Sequence, residues 1–326
     1  MSHNHKIVVM MLGGARRVSV AEQIRKSGSR IGCDVELVSY ELSSRVPISI
    51  VSKVVEGLRW ADPEVIDDIV RVARENEVSI ILPFVDAAIE IAAQCRERLP
   101  GVFIPVVDFE TATRMFDKTE AAKAFLEARL PIPQTYSVLN AEVPVIAKPR
   151  KGSSSRGIRV FHNMDELMHL DNLNSFFLQE YIEKFDEYTV DCYVSQQGEI
   201  LVTVPRLRIE VQGGEATRTE TIRNERIMGM CRDVIEAFSL RGPVTIQFIH
   251  DLVKDRILLL EVNPRLGSGV VCSIYAGAPI TDYILQEALG VPVRPCDDWA
   301  GHTLMTRYMK EVIFFNGEPA DRSYAD

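Results

Sequence analysis

The run ILLLEVNPRLGSG, Ile257 to Gly269, is aliphatic until it places Glu261, Asn263 and Arg265 on alternate positions. Side chains alternate faces along a strand, so these three share one face if the strand runs regularly to its end. A hairpin turn centred on Lys254 would set Gln247, in PVTIQFIHD, opposite Glu261 on that face. Carboxylate and amide oxygens suit a hard cation. So sparse a set suits magnesium, which completes its octahedron with water and nucleotide phosphates. The competing reading is a solvated strand end on which Arg265 pairs with Glu261.

Three further stretches carry polar groups where a strand or a short loop would present them. RKGSSSRG, Arg150 to Gly157, offers the Ser153, Ser154 and Ser155 hydroxyls and, through Gly157, close backbone approach; it is either an anion nest or an exposed hairpin loop. Just before it, Lys148 interrupts the apolar run VIAKP, where an ammonium must reach the surface or meet an anion. With Lys118 upstream, two lysines flank the loop, a pair that would hold α- and β-phosphates. LQEYIEKFDEYTVD suits a hinge whose backbone meets a base edge, with Glu180 and Glu187 as acceptors for an amino group or ribose hydroxyls, unless both glutamates are merely solvated. Arg206 and Arg208 alternate along TVPRLRIEV and could face a substrate carboxylate or acyl phosphate; a solvated edge strand is the alternative.

Positioning these groups requires a particular order of elements. KIVVMML, DVELVSY, VSIILPF and VFIPVV read as buried strands. DPEVIDDIVRVARENE and DAAIEIAAQCRERL read as helices capped by Asp62 and Asp86, so the first hundred residues predict a parallel α/β sheet. Gly13 and Gly14 mark a tight turn without the spacing of a dinucleotide fingerprint. DKTEAAKAFLEARL predicts a helix with Asp117 as N-cap and Glu120 at the capping-box position, ended by PIP. VPVIAKP, IRVF, MDELMHL and SFFLQEYI then predict a small α+β lid. Beyond Glu187 the pattern turns antiparallel: EYTVDCYVS, a QQG turn, EILVTVPRLRIEV, ATRTETI, a helix over NERIMGMCRDVIEAF, and the hairpin PVTIQFIHD with RILLLEVNP.

Bulk properties narrow the partners. A net charge of −9 disfavours nonspecific binding to nucleic acid or anionic membrane. The chain lacks a signal-peptide pattern and an apolar run of spanning length, so a cytoplasmic location is expected. Six cysteines without CxxC spacing predict reduced thiols rather than structural zinc.

Taken in this order, the lysine at DK, the AKP lysine, the glycine-rich flap, QEYI with its later glutamate, and QF followed by EVNPR resemble the ATP-grasp superfamily. The likeness is to the single ATP-grasp unit of the carbamoyl phosphate synthetase large chain. It implies a pre-ATP-grasp Rossmann-like domain over 1–107, linking helices and a lid over 108–182, and an antiparallel C-terminal lobe with a metal site over 183–326. It also implies that Lys118 and Lys148 bind phosphates and that Glu180, Tyr181 and Ile182 meet adenine. Glu187 would meet ribose, Gln247, Glu261 and Asn263 would bind Mg2+, with Mn2+ as the alternative ion, and Arg265 would contact the transferring phosphate or acyl intermediate. The flap is richer in serine than in many relatives, and one ATP-grasp unit stands without a second synthetase half or a glutaminase. The resemblance therefore implies a stand-alone carboxylate-amine ligase using ATP and small-molecule substrates, with a homodimer as one assembly. A phosphotransferase that stops before ligation and a non-catalytic ATP sensor are the rivals. A nicotinamide dehydrogenase is weakened by the missing glycine fingerprint.

Overall fold

The computed structural model describes residues 5–152 and 157–320. Its first sheet is parallel, in the order β3-β2-β1-β4: β1 (His5–Leu12), β2 (Cys33–Glu41), β3 (Lys53–Glu56) and β4 (Ile80–Pro83). Helices α1 (Val18–Ile31), α2 (Val65–Glu75) and α3 (Asp86–Cys95) connect it. Val9 to Leu12 are fully buried, as expected of a central parallel strand covered on both faces. VFIPVV does not form a strand. It contributes one bridge, Ile80 to Phe103, because Pro105 has no N–H to continue a ladder. The two expected caps are also displaced. Asp62 accepts from the Glu64 amide at 2.9 Å in the turn ahead of α2, and Asp86 is the first residue of α3, after extended Val85. Helix α1 was hidden by its small residues; Gly28 sits where a Cβ would lie 2.4 Å from the Val35 side chain, so α1 packs close to β2.

Asp108 caps α4 (Phe109–Phe116) and Asp117 caps α5 (Lys118–Glu127) by accepting from the Thr119 and Glu120 amides. The Glu120 carboxylate pairs with Lys123 at 2.9 Å. A small antiparallel sheet follows, ordered β5-β8-β6-β7: β5 (Thr135–Tyr136), β6 (Val145–Pro149), β7 (Arg159–Phe161) and β8 (Phe176–Glu180), with α6 (Met164–Met168) between the last two.

The third sheet is antiparallel and ordered β13-β12-β9-β10-β11-β14. Its strands are β9 (Phe185–Val194), β10 (Ile200–Gln212), β11 (Glu215–Thr221), β12 (Gly242–Asp251), β13 (Arg256–Asn263) and β14 (Leu304–Thr306). Helix α7 (Glu225–Ala237) links β11 to β12, and α8 (Val270–Tyr275) and α9 (Ile280–Ala288) follow β13. A hairpin of β15 (Phe314–Phe315) and β16 (Glu318–Pro319) ends the described chain. β10 lies between β9 and β11, so the solvated edge-strand reading of Arg206 and Arg208 is overturned.

Two large apolar clusters each combine residues of the parallel sheet with residues of the third sheet: Met10 and Ile81 join Val190, Val244 and Val262 in one, and Val9 and Leu82 join Val202 and Val204 in the other. The small sheet has its own core of Val145, Ala147, Phe161, Leu167, Leu170 and Leu178. No helix among the described residues is long and apolar enough to cross a membrane.

Candidate active site

A cleft of about 450 Å³ is lined by the small sheet, the third sheet and the connections of the parallel sheet at Arg17 and Phe84 to Asp86. The β12–β13 hairpin has the register expected from a turn at Lys254, with Gln247 opposite Glu261 and Thr245 opposite Asn263. Gln247, Glu261 and Asn263 all line the cleft, and among the described residues none of their side chains has a hydrogen-bond or ion-pair partner. Three side chains bearing oxygen donors on one sheet face, without protein partners, fit a hard divalent cation that takes its other ligands from outside the chain. No three-residue cluster of His, Cys, Asp or Glu occurs among the described residues, so the set carries a single formal charge.

Lys148 reaches the same cleft from β6. Its ammonium donates to the Gln179 carbonyl oxygen at 2.8 Å, a neutral partner buried on the same face of the small sheet. Burial pushes Lys148 down to about 8; Glu261 and Glu187 pull it up and Lys118 pushes it down. Gln179 was missed in the sequence, although a polar residue inside the apolar run FFLQE carries the same signal that singled out Lys148. Lys118 opens α5 and donates to the Gly152 carbonyl at 2.8 Å, which ties it to the start of the glycine-rich loop. Arg150 is bound back to Asp117 at 3.1 Å. Gly157 has φ +74, a conformation costly for side-chain-bearing residues. Ser153, Ser154 and Ser155 lie outside the described residues.

An apolar slot runs beside these groups, walled by Met115, Ala122, Phe125, Ile132, Ile182 and Leu259. Tyr181 also lines it. The Glu180 carboxylate, expected to accept from a base, is already occupied: it accepts from the Gln134 amide at 2.8 Å and from Arg256 at 2.6 Å. These contacts hold its pKa below the usual range although burial opposes them. Glu187 is half-buried and raised by that burial, with Arg208 at 3.2 Å and Lys148 opposing the rise.

The two arginines of β10 differ. Arg206 is fully buried, clasped by Asp191 at 2.7 and 3.2 Å and by Thr219 at 3.1 Å, while Ser273 also donates to Asp191 at 2.6 Å. Arg206 is among the residues that line the cleft, and its donors are engaged in bracing the sheet. Arg208 holds the Gly214 carbonyl at 2.9 Å and faces Glu187. Arg265 does not pair with Glu261. Its Nε donates to Asp86 at 2.8 Å, so the end of β13 is fastened to the start of α3. Arg17 and Glu215, also absent from the sequence reading, line the cleft and pair at 2.9 Å, and Arg307 holds the other Glu215 oxygen at 2.7 Å.

Residues 115–269 match the ATP-grasp domain family. The mitochondrial pyruvate carboxylase of Rattus norvegicus is 30% identical over 234 residues, covering 62% of this chain and 20% of that enzyme. The C-terminal section of the Methanopyrus kandleri carbamoyl phosphate synthase large chain is 19% identical over 291 residues, covering 80% of this chain and 51% of the section. The chain thus spans about half, or less, of these relatives' lengths. Among solved structures, the biotin carboxylase domain of Hydrogenobacter thermophilus 2-oxoglutarate carboxylase, in complex with MgADP and bicarbonate, superposes with a TM-score of 0.71 at 17% identity, covering 91% of this chain and 73% of that one. Residues 115–269 thus match the ATP-grasp domain family, and the chain, on a mixed α/β fold, is similar to part of the carbamoyl phosphate synthase large chain.

Proposed function

We propose that the chain is an ATP- and magnesium-dependent ligase that joins a carboxylate to an amine through an acyl phosphate. One observation carries the reading: Gln247, Glu261 and Asn263 have no side-chain partner among the described residues and line a cleft that also holds the depressed lysine Lys148 and an apolar slot. Adenine fits the slot, with main-chain groups at Glu180 to Ile182 at its edge. Glu187 is placed for ribose. Lys148 and Lys118 neutralise phosphate oxygens, and the oxygen set holds the cation that offsets the remaining phosphate charge.

The substrate carboxylate attacks the γ-phosphorus, the bond to the β,γ-bridging oxygen breaks, and ADP leaves with that electron pair. An amine then adds to the acyl carbon, phosphate departs, and the amine gives up a proton. The protein's work is positioning and charge neutralisation, which in phosphoryl transfer supplies most of the catalysis. Arg265, two residues beyond Asn263, holds the anionic intermediate in this reading, supported by its position in the cleft lining, which Arg208 shares. The chemistry of the domain's relatives supports this: the archaeal relative is a carbamoyl phosphate synthase, and the superposed carboxylase domain was solved with MgADP and bicarbonate. Oxygen-18 in the substrate carboxylate is expected to appear in released phosphate. ADP formed together with a phosphorylated product and no released phosphate would instead favour phosphoryl transfer without ligation, whereas unlabelled phosphate would mean hydrolysis by water.

A further inference from the structure

The two edges of the third sheet differ. At the β13 edge the Leu259 amide donates to the Pro131 carbonyl at 2.8 Å, so a segment from elsewhere in the chain covers that strand. β14, at the other edge, is hydrogen-bonded to β11 on one side and to no strand on the other. Backbone groups point alternately to the two sides of an antiparallel strand. The Thr303 carbonyl accepts from the Thr221 amide at 3.0 Å and the Arg307 amide donates to the Thr217 carbonyl at 2.8 Å, so the odd-numbered positions face β11. Leu304, Thr306 and Tyr308 therefore turn their amides and carbonyls outward, where these groups have no partner among the described residues.

Proteins guard such an edge with lysine, proline, a bulge or a covering loop, because it templates pairing with another chain. From Leu304 to Met309 the sequence holds no lysine or proline, and the β11–β14 register is unbroken. The one charge in that stretch, Arg307, is paired with Glu215 at 2.7 Å. Thr306 is exposed, Leu304 is 50% exposed and Tyr308 83%, and Met309 beyond them is 86% exposed.

The order of residues on this edge selects its occupant. Identical strands paired across a two-fold axis run antiparallel and set one residue opposite itself. With Thr306 at the axis, its amide and carbonyl exchange two hydrogen bonds with Thr306 of a second copy. Leu304 then lies opposite Tyr308 of the second copy and Tyr308 opposite Leu304, with two more bonds in each pair. Apolar meets apolar, hydroxyl meets hydroxyl, and between Leu304 and Tyr308 no charge faces its like.

We infer that β14 is a dimerisation edge: two copies of this chain join β14 to β14 about a two-fold axis at Thr306, so that the third sheet continues from one copy into the other. The inference does not depend on the ligase reading. Pairing also holds in place the strand end at which Arg307 grips Glu215 on the cleft wall.

Sedimentation velocity and light scattering on the whole chain, from nanomolar to high micromolar concentration, should show the mass doubling as concentration rises. Thr306→Pro removes an amide that the lone chain does not use, a change that edge strands tolerate. It should leave the circular dichroism spectrum unchanged and, with both central hydrogen bonds lost, raise the dimer dissociation constant about tenfold or more. Thr306→Lys and Thr306→Glu should each be monomeric, since like charges then meet at the axis, and an equimolar mixture of the two should recover the dimer. A parent protein that stays monomeric throughout, or a dimer unchanged by all three substitutions, would overturn the inference. Lys and Glu variants that remain apart when mixed would overturn it too, because a Thr306 opposite its own copy gives them complementary charges.

Discussion

Lys148 connects burial to ligand binding through a proton. In the folded chain it titrates near 8, whereas an unfolded lysine titrates at about 10.4. Between those values the unfolded chain holds more protons, so stability rises with pH across that window as the burden of a half-buried ammonium is lifted. Phosphates placed beside Lys148 would restore its charge. Mg-ATP binding near pH 9 should therefore take up close to one proton, read by calorimetry in buffers of different ionisation enthalpy, and Lys148→Met should abolish that uptake. An uptake of zero in the parent protein would mean that no anion meets Lys148. Glu261→Gln tests the neighbouring group. Its carboxylate has no hydrogen-bond or ion-pair partner among the described residues and only a longer-range attraction to Lys148, so the unfolding midpoint should change little, while turnover falls by about two orders of magnitude or more because a neutral amide binds a hard cation weakly. Unaltered ADP formation would refute the cation site. At this scale the sequence was legible wherever a two-residue period or a polar residue inside an apolar run reported a face, as with Gln247, Glu261, Asn263 and Lys148. It was not legible where a partner arrives from far along the chain. Arg265 finds Asp86 from 179 positions away and Glu180 finds Arg256 from 76, and no local pattern encodes either.

The elements themselves were readable in type more than in extent. Amphipathic period located α2, α3 and α7, period with the Asp117 cap located α5, and the hairpin arithmetic at Lys254 gave the register of β12 and β13 because these signals are local. Strand status in VFIPVV failed because a strand needs neighbours with free backbone groups, and that segment serves as a crossing between sheets. The crossing has its own signature. Gly242, at the start of β12, has φ +74, and a Cβ there would lie 2.1 Å from the carbonyl oxygen of Pro105. Neither atom can yield, since one belongs to a strand and the other to the backbone of the crossing. Gly242→Ala should destabilise the chain by about 3 kcal/mol through combined overpacking and backbone strain. Urea unfolding measures it directly. A midpoint within error of the parent would mean that β12 and the Pro105 segment do not meet as closely as described. The strand so anchored carries Gln247, so the same contact sets one wall of the cleft relative to the parallel sheet.

Across the whole molecule the apolar clusters divide the chain differently from the order of motifs along it. The parallel and third sheets share two cores, whereas the small sheet closes a separate core of few side chains. Opening free energies follow the apolar surface that each unit buries, so the two large sheets should exchange amide hydrogens as one unit and the small sheet should open earlier. Hydrogen exchange is expected to show peptides within 145–180 exchanging faster than those of β9 and β12, and faster than those of β1. Mg-ATP changes that order if the proposed site is right. Lys148 on β6 and Lys118 with the Gly152 carbonyl lie on the small-sheet side of the cleft, while Gln247, Glu261 and Asn263 lie on the other, so a nucleotide with its cation ties the two sides together. Binding stabilises whatever opening would break it, by a factor that grows with ligand concentration over the dissociation constant. Protection should therefore rise most in β6 and β8, with little change in β1 or β2, and adenosine, which lacks the phosphates, should give much less of it. Uniform protection throughout the chain, or a gain confined to the parallel sheet, would place the nucleotide elsewhere and detach the small sheet from function.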